Sequence, residues 1–155
     1  MLFVTHLAAA ALVGRWTRLA PAWLVVGAAL PDLVDKPLAT VGLVDVYHSV
    51  GHSALLVAVA IPVALVGRAG LAVAVGWGSH LLLDAAHVII NGRAGDALFL
   101  AWPLTGPADP LRIPPGAFFV YYVGTPAFYL EVGFWLALAV LVARRGLSAS
   151  TVAER

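Results

Sequence analysis

The sequence predicts an all-α membrane protein, a polytopic bundle of helices with about five membrane segments, of which the first two are short. Hydrophobic residues occupy 62% of the 155 positions and charged residues only 11%, whereas a soluble domain has about 45–50% and about 25%. The mean hydropathy is +0.96. This composition excludes an ordinary soluble domain and an intrinsically disordered chain.

The first thirty residues are predicted to form a hairpin of two short helices. Residues 1–14 and 20–30 are apolar, but Arg15 and Arg18 lie between them. Arginines inside a bilayer cost several kcal/mol, so two short helices are favoured over one long helix kinked at Pro21.

Three longer apolar stretches follow, each close to the length of about 20 residues that a membrane-spanning helix needs. They are residues 49–67, 70–90 and 125–143. Of the connections, 32–47 is predicted to be a mixed loop, and 91–124 is too rich in proline to be one continuous helix. Residues 1–145 are expected to form a single membrane-embedded domain, and 146–155 a polar tail that frays.

The basic residues predict an orientation, because cytoplasmic loops of membrane proteins carry an excess of Lys and Arg. Five segments place six arginines on one side and three basic residues on the other. The N-terminus is therefore expected outside the cell and the C-terminus in the cytoplasm. The first group is Arg15, Arg18, Arg68, Arg144, Arg145 and Arg155, and the second is Lys36, Arg93 and Arg112.

Charge and cysteine content exclude several functions. Nine Lys+Arg against eight Asp+Glu leave no basic excess to follow a phosphate backbone, so no nucleic-acid partner is expected. The chain has no cysteine, which excludes disulfides, thiolate metal ligands and cysteine nucleophiles.

The titratable residues converge on one predicted membrane face, opposite most of the arginines. All five histidines belong to this set, together with three aspartates and one glutamate. Glu131, taken alone, is expected to mark the membrane interface. The set is His6, His48, His52, His80, His87, Asp32, Asp35, Asp84 and Glu131.

The spacing of these residues favours a metal site. His48 and His52 are four positions apart and would share a face of a helix, while His80, Asp84 and His87 would form one stripe on the fourth segment. Imidazoles and carboxylates from different helices are ligands for a divalent cation, most naturally Zn²⁺. The competing interpretation of any single histidine is a hydrogen-bonded structural or interfacial residue.

Four motifs in order resemble a known family. They are Thr5-His6-Leu7, Gly27-Ala-Ala-Leu-Pro31-Asp32, His48-Ser-Val-Gly-His52-Ser53 and Ser79-His80-Leu-Leu-Leu-Asp84. The run resembles the inner-membrane-associated metal-dependent hydrolases, also called LexA-binding membrane hydrolases, over roughly residues 5–104. The resemblance implies a location in the cytoplasmic (inner) membrane of a prokaryotic cell. The pattern of that family is an N-terminal His, a Pro-Asp-x-Asp, a His-Arg-x-x-x-His-Ser and a His-x-x-x-Asp.

That family is distantly similar to zinc-dependent phospholipases C and S1/P1-type nucleases, and the resemblance implies ligand roles for this chain. It implies His52, His80 and Asp84 as the first ligands, with His6, His48 and Asp32 as supporting ligands. Three positions depart from the family pattern. The second aspartate, Asp35, comes one residue late, Ser49 stands where the family has Arg, and Gly51 stands where it has Thr.

The function expected from these observations is metal-dependent hydrolysis, of a phosphoester in a lipid or lipid-linked substrate at the extracytoplasmic face. Membrane lipids are the expected surroundings, Asp32 is the candidate catalytic base or bridging ligand, and Asp35 is the second choice. One alternative is a transporter that passes metal ions or protons through the same His/Asp cluster. Another is a b-type haem held between His52 and His80.

Overall fold

The computed structural model describes residues 1–105 and 114–153, and its regular structure in this part of the chain is entirely helical, with no strand. Six α-helices and two short 3₁₀ segments, Ala54–Leu56 and Ala94–Ala101, follow one another in the described ranges. The α-helices are α1 (Phe3–Trp16), α2 (Pro21–Thr40), α3 (Val57–Leu65), α4 (Arg68–Ile90), α5 (Pro115–Tyr122) and α6 (Pro126–Ala153). The all-α prediction is confirmed.

The prediction of about five membrane segments is not supported. In the described part of the chain, two helices are long and apolar enough to cross a membrane: α4, and α6 from Pro126 to Arg144. α1 has 14 residues and α3 has nine, so both are shorter than the roughly 20 residues of a full span. α2 has 20 residues but carries two aspartates and a lysine in its second half.

The predicted hairpin at the start of the chain is present, but its second helix is longer than predicted. α1 ends at Trp16, a short link follows, and α2 begins at Pro21, where the fixed φ of proline suits the first helical position. The two helices pack against each other. Close packing begins directly at the link, because a Cβ on Gly14 would lie 2.8 Å from Pro21 Cγ.

The prediction of a loop over residues 32–47 is wrong for its first half. α2 continues through Pro31 and Pro37 to Thr40. Proline is tolerated within a packed helix when its neighbours satisfy the freed backbone groups. Continuing the helix brings Asp32 and Asp35 onto the same rigid element as the apolar residues before them.

His48 and His52 do not share a helix, contrary to the prediction. They lie in a non-helical loop, residues 41–53, before the 3₁₀ turn that leads into α3. The loop lies against α2 so closely that a Cβ on Gly51 would approach Pro31 Cα to 2.8 Å. Trp77 Nε1 of α4 also donates to the Gly51 carbonyl, 2.7 Å away.

α4 is the central helix of the fold and packs against α1, α2 and α3. It meets α2 through small residues. A Cβ on Gly76 would overlap the Leu24 carbonyl, and a Cβ on Gly27 would overlap the Val73 carbonyl. Glycine at both positions is therefore required for the close approach of the two backbones.

α6 lies beside α1 and runs in the same direction. Glu131 accepts a hydrogen bond from the Leu2 amide, and one turn later Trp135 Nε1 donates to Thr5 Oγ1, 2.9 Å away. The helix continues to Ala153 and so passes the expected domain boundary at residue 145. Arg112 and Arg155, which entered the count of basic residues, lie outside the described residues.

The distribution of polar and apolar residues is inverted relative to a soluble protein. Half of the buried hydrophobic residues among those described are alanines, such as Ala10, Ala28 and Ala72. Large apolar side chains on the outside of α6 are widely exposed, among them Leu130 at 58% and Leu136 at 64%. Soluble monomers rarely expose a continuous apolar surface of this kind.

Candidate metal centre

Four separate parts of the chain bring the predicted site residues to one end of the bundle. α1 contributes one histidine, α2 two aspartates, the 41–53 loop two histidines, and α4 a histidine and an aspartate. The structure brings all seven predicted site residues into one continuous cluster: His6, Asp32, Asp35, His48, His52, His80 and Asp84.

Asp84 lies at the centre of this cluster. Its Oδ1 is 3.0 Å from His6 Nε2. Its Oδ2 is 3.2 Å from His80 Nε2, 3.4 Å from His52 Nε2 and 3.8 Å from His48 Nε2. One carboxylate therefore faces four imidazole nitrogens that come from three different elements.

The Nδ1 atoms of His52 and His80 each donate a hydrogen bond. His52 Nδ1 donates to Asp35 Oδ2 at 2.8 Å, and His80 Nδ1 donates to the Ala28 carbonyl at 2.7 Å. A neutral imidazole that carries its proton on Nδ1 has its lone pair on Nε2. Metal-binding histidines are oriented in the same way, with the second ring nitrogen bonded to a carboxylate or a backbone carbonyl.

The two Nε2 atoms face each other at 3.2 Å. Together with Asp84 Oδ2 they form a triangle with edges of 3.2, 3.2 and 3.4 Å. Ligands about 2.0–2.1 Å from a tetrahedral Zn²⁺ are separated from one another by about 3.4 Å. The three donor atoms already have the mutual spacing of ligands on one tetrahedral ion.

His6 extends the cluster on the other side of Asp84. Its ring stacks on the ring of His80 with centroids 3.9 Å apart, and its Nδ1 lies 3.2 Å from the Leu2 carbonyl. Its Nε2 is buried and makes no hydrogen bond, although Asp84 Oδ1 is close. A buried polar atom without a hydrogen bond is rare in a native fold and fits a position beside a cation.

Asp35 holds the histidine loop in place. Its carboxylate is fully buried and accepts hydrogen bonds from the amides of Ser49, Gly51 and His52 as well as from His52 Nδ1. Burial alone would raise the pKa of Asp35, but these hydrogen bonds outweigh it and lower the pKa below the usual value. The late position of this aspartate in the motif corresponds to a carboxylate behind His52, directed at the loop.

The hydrogen bond between Asp35 and His52 also affects the pKa of His52. Burial lowers the pKa of His52, but the neighbouring carboxylates of Asp35 and Asp84 outweigh burial, so the pKa is raised overall. The surroundings of this ring therefore stabilise positive charge, which either a proton or a metal cation can supply.

Asp32 lies on the more open edge of the cluster. Its Oδ1 is 3.6 Å from His52 Nε2 and 3.2 Å from Lys36 Nζ. Its side chain is 15% exposed, whereas those of His52 and His80 are fully buried. Burial tends to raise the pKa of Asp32, but Lys36 and the neighbouring histidines outweigh it and lower the pKa, so that the carboxyl stays ionised.

Sequence reasoning missed one residue near this cluster. Lys36 was counted only as a loop charge, yet it lies one helical turn after Asp32 and reaches the cluster. The i, i+4 spacing from Asp32 within a continuous α2 is the signal that would have identified it.

Glu131, expected from the sequence to mark the membrane interface, connects three helices inside the bundle. Its side chain is buried, accepts a hydrogen bond from Tyr122 Oη at 2.5 Å, and also contacts Thr5 Oγ1. It ties α1, α5 and α6 together. His87, the last residue of the predicted stripe, packs against Phe118 and Tyr122, away from the centre of the cluster.

The geometry contradicts the haem alternative. Two axial histidines of a haem lie on opposite faces of the porphyrin, with the iron between them. His52 Nε2 and His80 Nε2 are 3.2 Å apart, at the distance of direct contact. No porphyrin ring fits between them.

Comparison with known proteins adds no neighbour from which a function could be transferred. No family model, curated protein or solved structure matches this chain at a significant level. The chemistry of the cluster therefore has to be argued from its own geometry.

Proposed function

We propose that this protein is a membrane-embedded, metal-dependent hydrolase that acts on a phosphoester of a lipid or lipid-linked substrate. The observation that carries the proposal is the triangle of His52 Nε2, His80 Nε2 and Asp84 Oδ2, with edges of 3.2–3.4 Å. Both histidine Nδ1 atoms are already bonded, so both Nε2 lone pairs are available to a cation.

The donor set fits Zn²⁺ best. Imidazole nitrogen and carboxylate oxygen are ligands that zinc accepts, and three protein ligands with a fourth position left open are typical of catalytic zinc sites. His52, His80 and Asp84 would hold the ion, with His6 and His48 as further donors on either side. A bound zinc ion supplies a water of lowered pKa and polarises a phosphoryl oxygen.

Asp32 is the residue proposed to move the proton in the reaction. It lies on the open edge, where substrate and water can reach it, while Asp35 is buried behind the loop. Lys36 keeps the Asp32 carboxyl ionised, so that it can accept a proton from water within about 3 Å. Asp35 would orient His52 without touching the substrate.

A membrane location is supported by the two helices long enough to span a bilayer and by the large apolar side chains exposed on α6. The positions of two arginines indicate which end of the bundle faces the cytoplasm. Arg68 of α4 donates to the Arg18 carbonyl beyond α1, so these two basic residues lie together at the end of the bundle opposite the cluster. The positive-inside rule would place that end in the cytoplasm and the cluster at the extracytoplasmic face.

A lipid substrate is supported by an apolar cavity whose wall includes the chain neighbours of two cluster residues. Its volume is about 230 Å³, and every residue that lines it is apolar. Pro31 and Gly51 belong to its wall, and each is the chain neighbour of a cluster residue, Asp32 or His52. A phosphoester at the cluster could therefore keep an attached hydrocarbon chain in apolar surroundings.

The transport alternative is disfavoured by the packing below the cluster. A path for ions needs polar groups along its length. Between the cluster and the arginine end, the described helices instead pack through Ala10, Leu24, Ala28 and Ala72, all fully buried. The Gly76 and Gly27 contacts close the space between α2 and α4 at this level.

Substituting Asp32 by Asn tests the proposal, because the change keeps the size of the side chain and removes its charge. The purified protein is loaded with zinc in detergent, and its metal content and turnover of phosphoester lipids are measured. D32N should keep most of the zinc and lose turnover by about 100-fold or more, the usual contribution of a general base. Asp45→Asn, at an exposed position of the 41–53 loop, is the matched control and should leave both measurements unchanged.

Two results would contradict the hydrolase assignment. One is full turnover in D32N. The other is a flux of metal ions or protons through wild-type protein in sealed liposomes that depends on His80 and occurs without hydrolysis of any phosphoester lipid offered.

A further inference from the structure

We propose that Lys36 is the anion-binding residue of this site and holds the phosphate group of the ligand beside the metal cluster. The inference rests on the proposed function, because it concerns the same site, and it names the group that this site recognises. Nothing in the motifs that led to the site pointed to this lysine.

The lysine is held over the open edge of the cluster by two neighbours. Lys36 Nζ lies 3.2 Å from Asp32 Oδ1 and donates to the Tyr47 carbonyl at 3.1 Å. It also lies over the Tyr47 ring, 5.7 Å from its centroid. Two acceptors use two of the three N–H donors of an ammonium group, so one donor remains for a ligand.

The ammonium lies where it can contact a phosphate group that is bound at the metal cluster. Asp32 Oδ1 contacts Lys36 Nζ on one side and is 3.6 Å from His52 Nε2 on the other. The ammonium and the histidine therefore border the same carboxylate oxygen. The Lys36 side chain is 26% exposed, which makes it the more accessible member of this edge.

Charge balance gives Lys36 a specific task. Asp32, Asp35 and Asp84 carry three negative charges, and a divalent ion supplies two positive ones. The N-terminal ammonium of Met1, 3.4 Å from Asp84 Oδ1, supplies a third positive charge. The Lys36 ammonium is therefore the charge that makes the site net positive and able to attract a phosphate. Lysine is a common phosphate-binding residue because its ammonium acts as a compact positive charge.

The other basic side chains near this end do not take the role. Arg93 follows α4 and pairs with Asp96, 3.5 Å away, at the start of the 3₁₀ segment. Arg18 and Arg68 contact each other at the far end of the bundle. Of these, Lys36 alone contacts a carboxylate of the cluster.

A simpler role for Lys36 would be to hold Asp32 in position. The two roles differ in what the loss of the ammonium changes. A positioning role affects metal content or the proton chemistry of Asp32, whereas an anion-binding role affects the affinity for a phosphate when the metal content is unchanged.

The test is a titration of the zinc-loaded full chain in detergent by calorimetry, with inorganic phosphate and with short-chain dihexanoyl phosphatidate as separate ligands. K36M should bind both about tenfold more weakly or worse, since a hydrogen bond to a charged group contributes about 1.5–3 kcal/mol. K36R keeps the charge and should stay within about threefold of wild type, and R93M, which removes a charge from the same end, within about twofold. Zinc content should be equal in all four proteins.

Comparing the affinities for the two ligands shows whether the site recognises a lipid headgroup or a phosphate group alone. Tighter binding of phosphatidate than of phosphate by wild type assigns the site to a lipid headgroup. Equal binding assigns it to the phosphate group alone. The effect of K36M is expected in either case, because the phosphate is common to both.

Three results would overturn the role of Lys36: wild-type phosphate affinity in K36M, loss of zinc in K36M, or no binding of either ligand by wild type. If wild type holds no zinc, the proposed function fails, and the titration is repeated on the metal-free chain. There, weaker phosphate binding by K36M would still support Lys36, and equal binding would overturn it.

Discussion

The two ends of the helical bundle are built on opposite principles, although α1, α2 and α4 contribute to both. At one end the helices meet through small residues with backbones almost in contact, as at Gly76 against the Leu24 carbonyl. At the other end the same helices are separated by imidazoles and carboxylates around Asp84. The apolar end supplies tight packing, and the polar end uses the rigidity of that packing to hold donor atoms about 3 Å apart.

The difference also has an energetic side. The small residues at the apolar end are buried without any polar group to satisfy. The polar end buries charges, which costs free energy unless they are paired or bound to a cation. We therefore expect packing substitutions to act on stability, and substitutions at the polar end to act chiefly on metal binding.

The largest effect is expected at Gly76, where α2 and α4 meet at the apolar end of the bundle. A Cβ there would overlap the Leu24 carbonyl and lie 3.0 Å from the Ala28 amide nitrogen, so α2 and α4 must move apart. Gly76→Ala should lower the free energy of unfolding by about 3 kcal/mol or more. Unfolding in detergent, followed by circular dichroism, measures the change.

Gly78 on the same helix is the matched control, since a Cβ there would have nothing within 4 Å. Gly78→Ala should leave stability unchanged or raise it by up to about 1 kcal/mol, because alanine favours the helix. Equal destabilisation by the two substitutions would show that helix contact at Gly76 is not the cause.

A smaller effect, confined to the polar end, is expected at Asp35. Asp35→Asn removes the charged acceptor that orients His52 while keeping the size of the side chain. Loss of such a partner behind a metal-binding histidine costs about 10- to 100-fold in metal affinity. Competition with a chelating dye should show this weakening, with full zinc content restored at excess zinc.

Unchanged zinc affinity in D35N would contradict the orienting role and would leave Asp35 free for the catalytic role considered from the sequence. Circular dichroism should show a folded chain in either case. A global loss of helix would mean that Asp35 holds the fold itself through the amides of Ser49 and Gly51.

Much of this organisation could be predicted from the sequence, because periodicity and motif order report on which residues share a helix face. The stripe of His80 and Asp84 on α4 needs only the helical repeat. The hairpin at the start follows from Arg15 and Arg18 between two apolar stretches. The gathering of the polar residues at one end also follows from their positions near the ends of successive segments.

Other features depend on tertiary contacts that periodicity does not record. α2 continues past Pro31 because its second half is held by contacts to the 41–53 loop, so Asp32 and Asp35 lie on a helix. His48 and His52 have helical spacing but lie in a loop, because Asp35 binds the amides that a helix would have used. The prediction of five spans is not supported because hydropathy counts apolar residues, whereas α1 and α3 are too short to span.

The most direct test of the central claim is the zinc content of purified protein after loading and dialysis, measured by elemental analysis for wild type, H80A, H80A/D84A and H87A. Wild type should retain at least one ion per chain, and H80A less than about a tenth of that, because its ligands act as a unit. Adding D84A should change little more, while H87A, whose ring packs against Phe118 and Tyr122, should retain zinc. A full metal content in H80A, or none in wild type, would contradict the metal centre.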